Sequence, residues 1–376
     1  MSEVAHIPQL RFPEFEGSWS SVSILGTTNP ELKYGIVDGP FGSNLKTIHY
    51  KKSGIPIITS GYVTDGFFNA DSYLYVTEEK FNKEKRSAVN GGDIVMAKIG
   101  ARCGSSAILP KNHPTGILSG NALKITVDNN SHSTNFIWQI LWSLYQGHKL
   151  DLLRTVGAQP AISIANLKKY KLSLPTKPEQ QKIAAFLTEV DTKIEQLSKK
   201  QELLGEYKKG LMQQIFSQAI RFKADDGCDF PDWEEKKLGD VLFEHKQRKI
   251  NNEEVFSVSV HKGLINQIEH LGRSFSAKNT DNYNLVKPGD IVYTKSPTGN
   301  FPYGIIKQSK VSQDVIVSPL YGVFTPETLA LGYMLNVFFE SKINVHNYLH
   351  SIIQKGAKNT INITNNTFLS KMLILP

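Results

Sequence analysis

Short apolar runs separated by Gly, Pro, Asn and Ser make up most of the chain and predict β-strands. They lie at residues 55–58, 94–97, 107–109 and 123–127, and again at 291–293, 305–306 and 315–317. Two later stretches, residues 134–154 and 329–353, instead repeat large apolar side chains at three- and four-residue steps, which is typical of helices. We assign the aromatic residues Phe136, Trp138, Trp142 and Tyr145 to the core rather than to a site. The pattern predicts an α+β fold whose domains are mainly β with packed helices.

Residues 176–220 have a different pattern and predict one long helix. Thr176-Lys177-Pro178-Glu179 has the form of an N-terminal capping box, with proline in the first turn. From residue 183, steps of four and three alternate strictly and bring apolar side chains into one seam: Ile183, Leu187, Val190, Ile194, Leu197, Leu204, Leu211 and Ile215, with Gln201 and Lys208 at the two remaining positions. This is a coiled-coil seam. About 40 helical residues would be roughly 60 Å long, so the seam requires a partner helix.

The chain also repeats itself at a spacing of about 200 residues. Gly91-Gly92-Asp93-Ile94-Val95 returns as Pro288-Gly289-Asp290-Ile291-Val292. The other repeated pairs are Phe12-Pro13 with Phe230-Pro231, Gly157-Ala158 with Gly356-Ala357, Ile162-Ser163-Ile164 with Ile361-Asn362-Ile363, and Leu174-Pro175 with Leu375-Pro376. A period this long indicates tandem domains rather than solenoid repeats. We place them at residues 1–175 and 221–376, on either side of the helix.

The charge balance favours an anionic partner. Lys and Arg number 43 against 35 Asp and Glu, a net charge of +8. The helical region between 176 and 218 has seven Lys and six acidic residues, so +7 of the excess lies elsewhere. Nucleic acid fits such domains; a Lys-rich surface without that role is the alternative. Two cysteines far apart, no signal pattern and no long apolar run predict a cytoplasmic protein without a membrane segment.

Motifs for catalysis are missing from the sequence. It has no phosphate-binding loop, no amino-methyltransferase motif pair, no nucleophile elbow and no Cys-x-x-Cys pair. We therefore predict no catalytic residues, no metal and no cofactor in this chain. An endonuclease is the alternative, because Glu78-Glu79-Lys80 follows Asp65 and Asp71, and Glu234-Glu235-Lys236 follows Asp232. A solvated charged face is the better explanation of these clusters.

Three loops carry side chains suited to nucleic acid. Residues 39–46 form a glycine-punctuated loop, and residues 98–104 and 295–300 follow matching strands in the two halves. Glycines permit close backbone approach, and the polar and basic side chains can contact phosphates or base edges. The candidates are Ser43, Asn44, Lys46, Lys98, Arg102, Lys295, Ser296, Thr298 and Asn300, with Arg102 as a bidentate guanine contact. Tight turns with incidental charge are the alternative interpretation.

Together these features resemble the specificity subunit of a type I restriction-modification system. The resemblance rests on the Phe-Pro openings, the Gly-Asp-Ile-Val strand entries, the Leu-Pro exits and Pro178-Glu179-Gln180-Gln181-Lys182-Ile183-Ala184 at the helix start. It implies two DNA target-recognition domains, each reading one half of a split double-stranded sequence. The helix would set the spacer and dock methyltransferase subunits, to which motor-nuclease subunits add. S-adenosylmethionine, ATP and Mg²⁺ are expected only on those partners, and this chain is expected to be non-catalytic.

The resemblance also predicts a second conserved helix after Leu375-Pro376, where the sequence stops. Either the natural protein continues past Pro376, or the seam of residues 183–215 pairs with the same helix of a second copy. A coiled-coil scaffold without a DNA role is a further alternative.

Overall fold

The computed structural model describes residues 8–155, 159–273, 276, 279–355 and 361–376. Two compact units divide the chain, Met1–Lys199 (unit 1) and Lys200–Pro376 (unit 2). The division falls inside the long helix, whereas the domain boundaries proposed above lie at its two ends; those boundaries stay a prediction. The repeated pairs Gly157-Ala158 and Gly356-Ala357 lie outside the described residues.

Unit 1 consists mainly of short strands. They are β1 Ser20–Ser23, β2 Ile36–Asp38, β3 Ile55–Ile58, β4 Val63–Thr64, β5 Phe67–Phe68, β6 Tyr75–Val76, β7 Ala88–Val89, β8 Ile94–Ala97, β9 Ser106–Ile108, β10 Gly116–Leu118, β11 Ala122–Ile125, β12 Arg154–Thr155, β13 Ala161–Ile162 and β14 Lys171–Leu174. The helices are α1 Glu78–Lys83, α2 Thr134–Gln146, α3 Ile164–Lys169 and the beginning of α4 Lys177–Phe216.

Two four-stranded sheets form the body of unit 1, in the orders β2-β11-β8-β9 and β6-β3-β10-β7. All neighbours are antiparallel except β3 and β10. The first strand of the unit, β1, pairs with its last, β14, with Ser20 opposite Leu174. The apolar face of α2 covers one sheet through Phe136, Ile137 and Leu141, which are buried together with Met96 and Leu123.

Unit 2 contains β15 Glu234–Lys237, β16 Leu242–Phe243, β17 Phe256–Ser259, β18 Gly263–Asn266, β19 Asn284–Val286, β20 Ile291–Tyr293, β21 Ile306–Gln308, β22 Val315–Val317, β23 Gly322–Pro326, β24 Gln354–Lys355, β25 Ile361–Asn362 and β26 Met372–Leu375. Its helices after α4 are α5 Leu238–Val241, α6 Gln267–Leu271, α7 Leu329–Phe338, α8 Lys342–Leu349 and α9 Asn365–Leu369. The strand order β16-β23-β20-β21 matches the first sheet of unit 1, and β15 pairs with β26 as β1 does with β14. The α+β fold of two β-rich domains with a long helix between them in the chain is confirmed.

The repeated Gly-Asp-Ile-Val motif has the same structural role in both units. Asp93 and Asp290 are buried at the entries to β8 and β20. Each carboxylate accepts a hydrogen bond from the backbone N–H three residues earlier and one from a threonine hydroxyl, which lies directly after the neighbouring strand in unit 1 and on it in unit 2. The distances are 2.9 Å from Asn90 and 2.6 Å from Thr126 in unit 1, and 2.8 Å from both Lys287 and Thr325 in unit 2. A buried carboxylate needs such partners, which explains why the motif appears in both halves.

One helix was predicted late in each half, and both are shorter than expected. α2 ends at Gln146, because His148 adopts a left-handed backbone (φ 57°), and residues Lys149–Leu153 continue as a 3₁₀ helix. In unit 2 the stretch is divided between α7 and α8, and the side chain of Ser341 caps α8 by accepting from Asn344 N. The two single helices predicted over 134–154 and 329–353 are therefore wrong in length, although each begins where expected.

The start of α4 is anchored on unit 1 by buried polar side chains. Glu179 accepts two hydrogen bonds from Arg11, at 2.6 and 2.7 Å, and one from the Trp19 indole. Gln180 accepts from Ser133 N and donates to Pro175 O. The capping box predicted at 176–179 is thus wrong in its partner, because the Glu179 carboxylate binds Arg11. The Pro-Glu-Gln motif fixes the helix to the domain that precedes it.

Candidate nucleic-acid interface

The loop of residues 39–46 follows β2 and depends on glycine. A Cβ on Gly39 would lie 2.1 Å from the carbonyl oxygen of Ser119, so no larger residue fits where the loop passes this backbone. Gly42–Asn44 then forms a 3₁₀ turn. Ser43, Asn44 and Lys46 are all exposed. The loop therefore presents these predicted contacts on the surface of unit 1.

Lys98 connects two of the predicted loops. Its Nζ donates to Oδ2 of Asp38 at 2.5 Å and lies 4.3 Å from the centre of the Phe41 ring. Its side chain is only 15% exposed. A lysine that is paired with a carboxylate and covered by an aromatic ring has little capacity left for a phosphate. The geometry favours a positioning role, in which Lys98 holds residues 39–46 against residues 98–104.

Arg102 is exposed on the turn between β8 and β9 and contacts a hairpin that sequence reasoning missed. Its Nη1 donates to Oγ1 of Thr64 at 3.3 Å. Thr64 and Phe67 are opposite each other in the β4–β5 hairpin, whose Asp65-Gly66 turn has positive φ at both residues. This is the Asp-Gly turn typical of two-residue hairpins. One donor of Arg102 is engaged, which leaves the rest of the guanidinium for a base edge.

The matching loop of unit 2 is held by a tight turn. Backbone hydrogen bonds join Thr298 and Phe301 in both directions, and the Phe301 ring is buried in the core. Ser296, Thr298 and Asn300 are exposed. Lys295 is half-buried with a left-handed backbone (φ 51°). Burial lowers the pKa of Lys295, against the opposing charge of Glu244. The loop therefore presents three polar side chains, with a partly desolvated lysine at its base.

Several residues of the acidic clusters considered for nuclease chemistry form ion pairs or a turn. On α1, Glu79 pairs with Lys83 at 2.7 Å and Lys80 pairs with Glu84. Asp65 forms the hairpin turn, and Asp232 pairs with Arg221 at 2.5 Å. Within the described part of the chain, no group of three or more His, Cys, Asp or Glu side chains is arranged to hold a metal ion. None of the helices described there combines the length and apolarity that a membrane crossing requires.

The predicted docking seam on α4 is exposed along most of its length. Ile183 packs partly against the core of unit 1, and Leu211 and Ile215 are half-buried in unit 2. Between them Leu187, Val190, Ile194, Leu197 and Leu204 are 40–57% exposed. Rows of exposed large apolar side chains are typical of protein interaction surfaces.

Comparison with known proteins gives a family match for one part of the chain. Residues 42–204 match the family model described as type I restriction modification DNA specificity domain. Two curated relatives from Methanocaldococcus jannaschii carry the matching name: the MjaVIII specificity subunit, and the putative MjaX specificity subunit, both type I restriction enzymes. Residues 42–204, less than half of the chain, are therefore similar to the DNA specificity domain of type I restriction-modification systems. Specificity subunits of this family are generally non-catalytic.

The relatives are distant and the matches partial. Both are 28% identical, over 192 and 202 residues, which is 50% and 51% of this chain but only 42% and 47% of the relatives' own length. The crystal structure of a type I restriction-modification S subunit from M. genitalium is similar to 95% of this chain and 85% of its own, with a TM-score of 0.52 and 13% identity. At that identity the likeness shows the fold alone.

Proposed function

We propose that this chain is the specificity subunit of a type I restriction-modification system, that it binds double-stranded DNA, and that each of its two units reads one part of a split sequence. One observation carries the proposal. The units share strand order and the buried aspartate at the same strand entry, yet the loops after β8 and β20 present different side chains. Arg102 lies on one, and Ser296, Thr298 and Asn300 lie on the other. A shared scaffold with unlike loops is what reading two different half-sites requires.

Affinity and discrimination should come from different groups. Lys and Arg contacts to phosphate give binding that falls steeply with salt and carries no sequence information. Loop side chains that reach base edges contribute about 1–3 kcal/mol of discrimination each. Lys46 is exposed and suits the first role, whereas Arg102 and Asn300 suit the second.

The exposed α4 seam is the proposed docking surface for methyltransferase subunits, to which motor-nuclease subunits add. S-adenosylmethionine, ATP and Mg²⁺ would act on those partners. The seam has the heptad spacing that a facing helix needs, and its centre is exposed. Pairing of the seam with α4 of a second copy is an alternative outcome of the docking experiment described in the Discussion.

A salt-resolved selection from a random duplex library tests the proposed function, with the purified chain alone and with a cognate methyltransferase subunit. Two short constant blocks at a fixed spacing are expected. One block alone would show that only one unit reads sequence, and the absence of any block would contradict the proposal. Magnesium-dependent cutting by the chain alone would contradict the non-catalytic assignment and favour the endonuclease.

A further inference from the structure

A basic cavity lies in unit 2, apart from the candidate interface. It is lined by His261, Lys262, Gly263, Leu264, Lys307, Gln308, Lys310, Asn336 and Glu340, and has a volume of ≈ 90 Å³. The wall is formed by the last residues of β21, one side of α7 and the tip of the β17–β18 hairpin. The loop of residues 295–300 precedes the first residue of β21 and so lies at the other end of this strand. The cavity is therefore at the opposite end of this strand from the predicted DNA contacts.

The single carboxylate in the cavity wall is already neutralised. Oε1 of Glu340 lies 3.5 Å from Lys307 Nζ, and Oε2 lies 3.3 Å from Lys208 Nζ on α4. Asn336 donates to the same carboxylate at 3.4 Å. Lys307 and Lys208 carry two positive charges against the one negative charge of Glu340. The floor of the cavity therefore has an excess of positive charge.

Two further lysines stand at the rim. Lys262 is exposed at the tip of the β17–β18 hairpin, and Lys310 is exposed two residues after β21 with its Nζ 5.8 Å from the Tyr333 ring centre. Among the described residues, neither has a carboxylate within ion-pair distance. Like charges around one opening repel each other, so an anion between them would stabilise the arrangement.

Unit 1 shows that the scaffold does not require this polarity. By strand register, Ala107 and Ile108 of β9 take the places of Lys307 and Gln308 in β21. Counting from the N-cap residues of α2 and α7, Leu141 and Tyr145 take the places of Asn336 and Glu340. Unit 1 fills the same position with apolar side chains, packed in its core. In unit 2 the buried amides are paired within the protein, as buried polar groups require: Gln308 Nε2 donates to Gly289 O and Leu329 O, and Gln308 N donates to Asn336 Oδ1. The polar wall and its lysines are therefore a feature of unit 2 that unit 1 lacks.

We propose that this cavity binds a phosphate group, held by Lys262, Lys310 and Lys307. Ammonium groups are strong ligands for phosphate oxygens, and the Asn336 and Gln308 amides supply a polar wall. The phosphate can belong to a free phosphate compound or to the DNA backbone. The proposal stands on the cavity alone and does not depend on the proposed function.

Calorimetric titration of the full chain with inorganic phosphate, in chloride buffer, tests the site. One saturable site is expected in the wild type, with the Kd at least about tenfold higher in the Lys262→Gln/Lys310→Gln variant, since each lost ammonium removes a charge-assisted contact. Lys237→Gln/Lys342→Gln removes the same charge from exposed positions elsewhere in unit 2 and should bind like the wild type. Glu340→Gln should bind phosphate more tightly.

Absence of saturable binding to the wild type, or equal binding by the Lys262→Gln/Lys310→Gln variant, would overturn the proposal. Equal thermal midpoints for the wild type and both double variants establish that the comparison concerns folded protein. Lys310→Arg, which keeps the charge, should retain binding; its loss together with an unchanged midpoint would also contradict the proposal.

Titration of the same variants with duplex DNA distinguishes the two sources of the phosphate. If DNA supplies it, the Lys262→Gln/Lys310→Gln variant weakens binding equally for all sequences and reduces the salt slope by roughly 2. If a free phosphate compound is the ligand, DNA affinity stays unchanged while phosphate binding is lost. A wild type that binds phosphate but no DNA would refute the proposed function and leave the phosphate site standing.

Discussion

Arg102 is the residue whose substitution best separates sequence reading from phosphate binding. Arg102→Ala should relax selectivity in the first block by about 1–3 kcal/mol and leave the second block unchanged. Binding to the selected site and to versions mutated in one block at a time measures this. Arg102→Lys keeps the charge but loses the planar fork, and should lose most of the selectivity as well. Equal weakening on every sequence would show that Arg102 contacts only phosphate.

His132 gives unit 1 a defined sensitivity to acid. Burial lowers the pKa of His132 below its usual 6.5, against the opposing charge of Asp128. As the pH falls below 6.5, His132 therefore takes up its proton in the unfolded chain before it does so in the folded protein. The free energy of unfolding decreases with falling pH until the pH is below the lowered pKa of His132 in the folded protein. The ring also lies 3.3 Å from Nε2 of Gln180, at the start of α4. Acid should loosen this anchor.

Denaturant unfolding at pH 7.5 and pH 5.5, followed by tryptophan fluorescence, checks the prediction, because three of the four tryptophans lie in unit 1. His132→Gln should lose less stability than the wild type between the two values. An identical loss in both proteins would show that His132 does not contribute to the acid sensitivity.

The sequence predicted the loops but not the side chains that their residues contact. Lys98 was readable as a basic residue after a strand, yet its partner Asp38 lies 60 residues earlier in the chain. Only the pairing of β2 with β11 and of β11 with β8 brings the two together. The Asp65-Gly66 turn was a readable hairpin signal, but the nearby acidic residues suggested a cluster instead.

Among the elements, the long helix was the most predictable, since a heptad repeat is a local pattern. Strand positions such as Ile55–Ile58 and Ile291–Tyr293 also follow from short apolar runs. Strand order did not follow, because β1 pairs with β14 across about 150 residues. The break between α7 and α8 was missed because the apolar spacing continues past Phe338, where α7 ends, and past Ser341, whose side chain caps the start of α8.

The α4 seam predicts a clear effect of one substitution. Leu197 is 53% exposed at the centre of the seam, so Leu197→Asp should leave both units folded and disrupt docking of a methyltransferase subunit. Gln196→Asp adds the same charge to the neighbouring exposed position outside the seam and should dock normally. Co-purification and analytical ultracentrifugation measure both proteins. Unchanged assembly of the Leu197→Asp protein would refute the docking role of the seam.

The same sedimentation experiment, without a methyltransferase subunit, tests pairing of α4 with a second copy. Self-association that Leu197→Asp abolishes and Gln196→Asp preserves is the expected result of such pairing. A stable wild-type monomer with fully helical α4 would exclude it.

For the whole molecule, independent reading by the two units predicts that their specificities separate. Replacing Ser296, Thr298 and Asn300 with glycine should erase one block of the selected sequence and leave the other block and the spacer intact. Repeating the library selection with this variant measures it. Loss of both blocks at once, from a protein that remains folded, would contradict independent reading by the two units.

The pairing of the first and last strands in each unit has an evolutionary consequence. Because β1 lies beside β14 and β15 beside β26, the first and last strands of each unit lie at one place. A gene segment encoding a whole unit can therefore be exchanged for a homologous one without moving the joints on either side. Recombination within similar flanking sequence would then generate new combinations of half-sites in a single step.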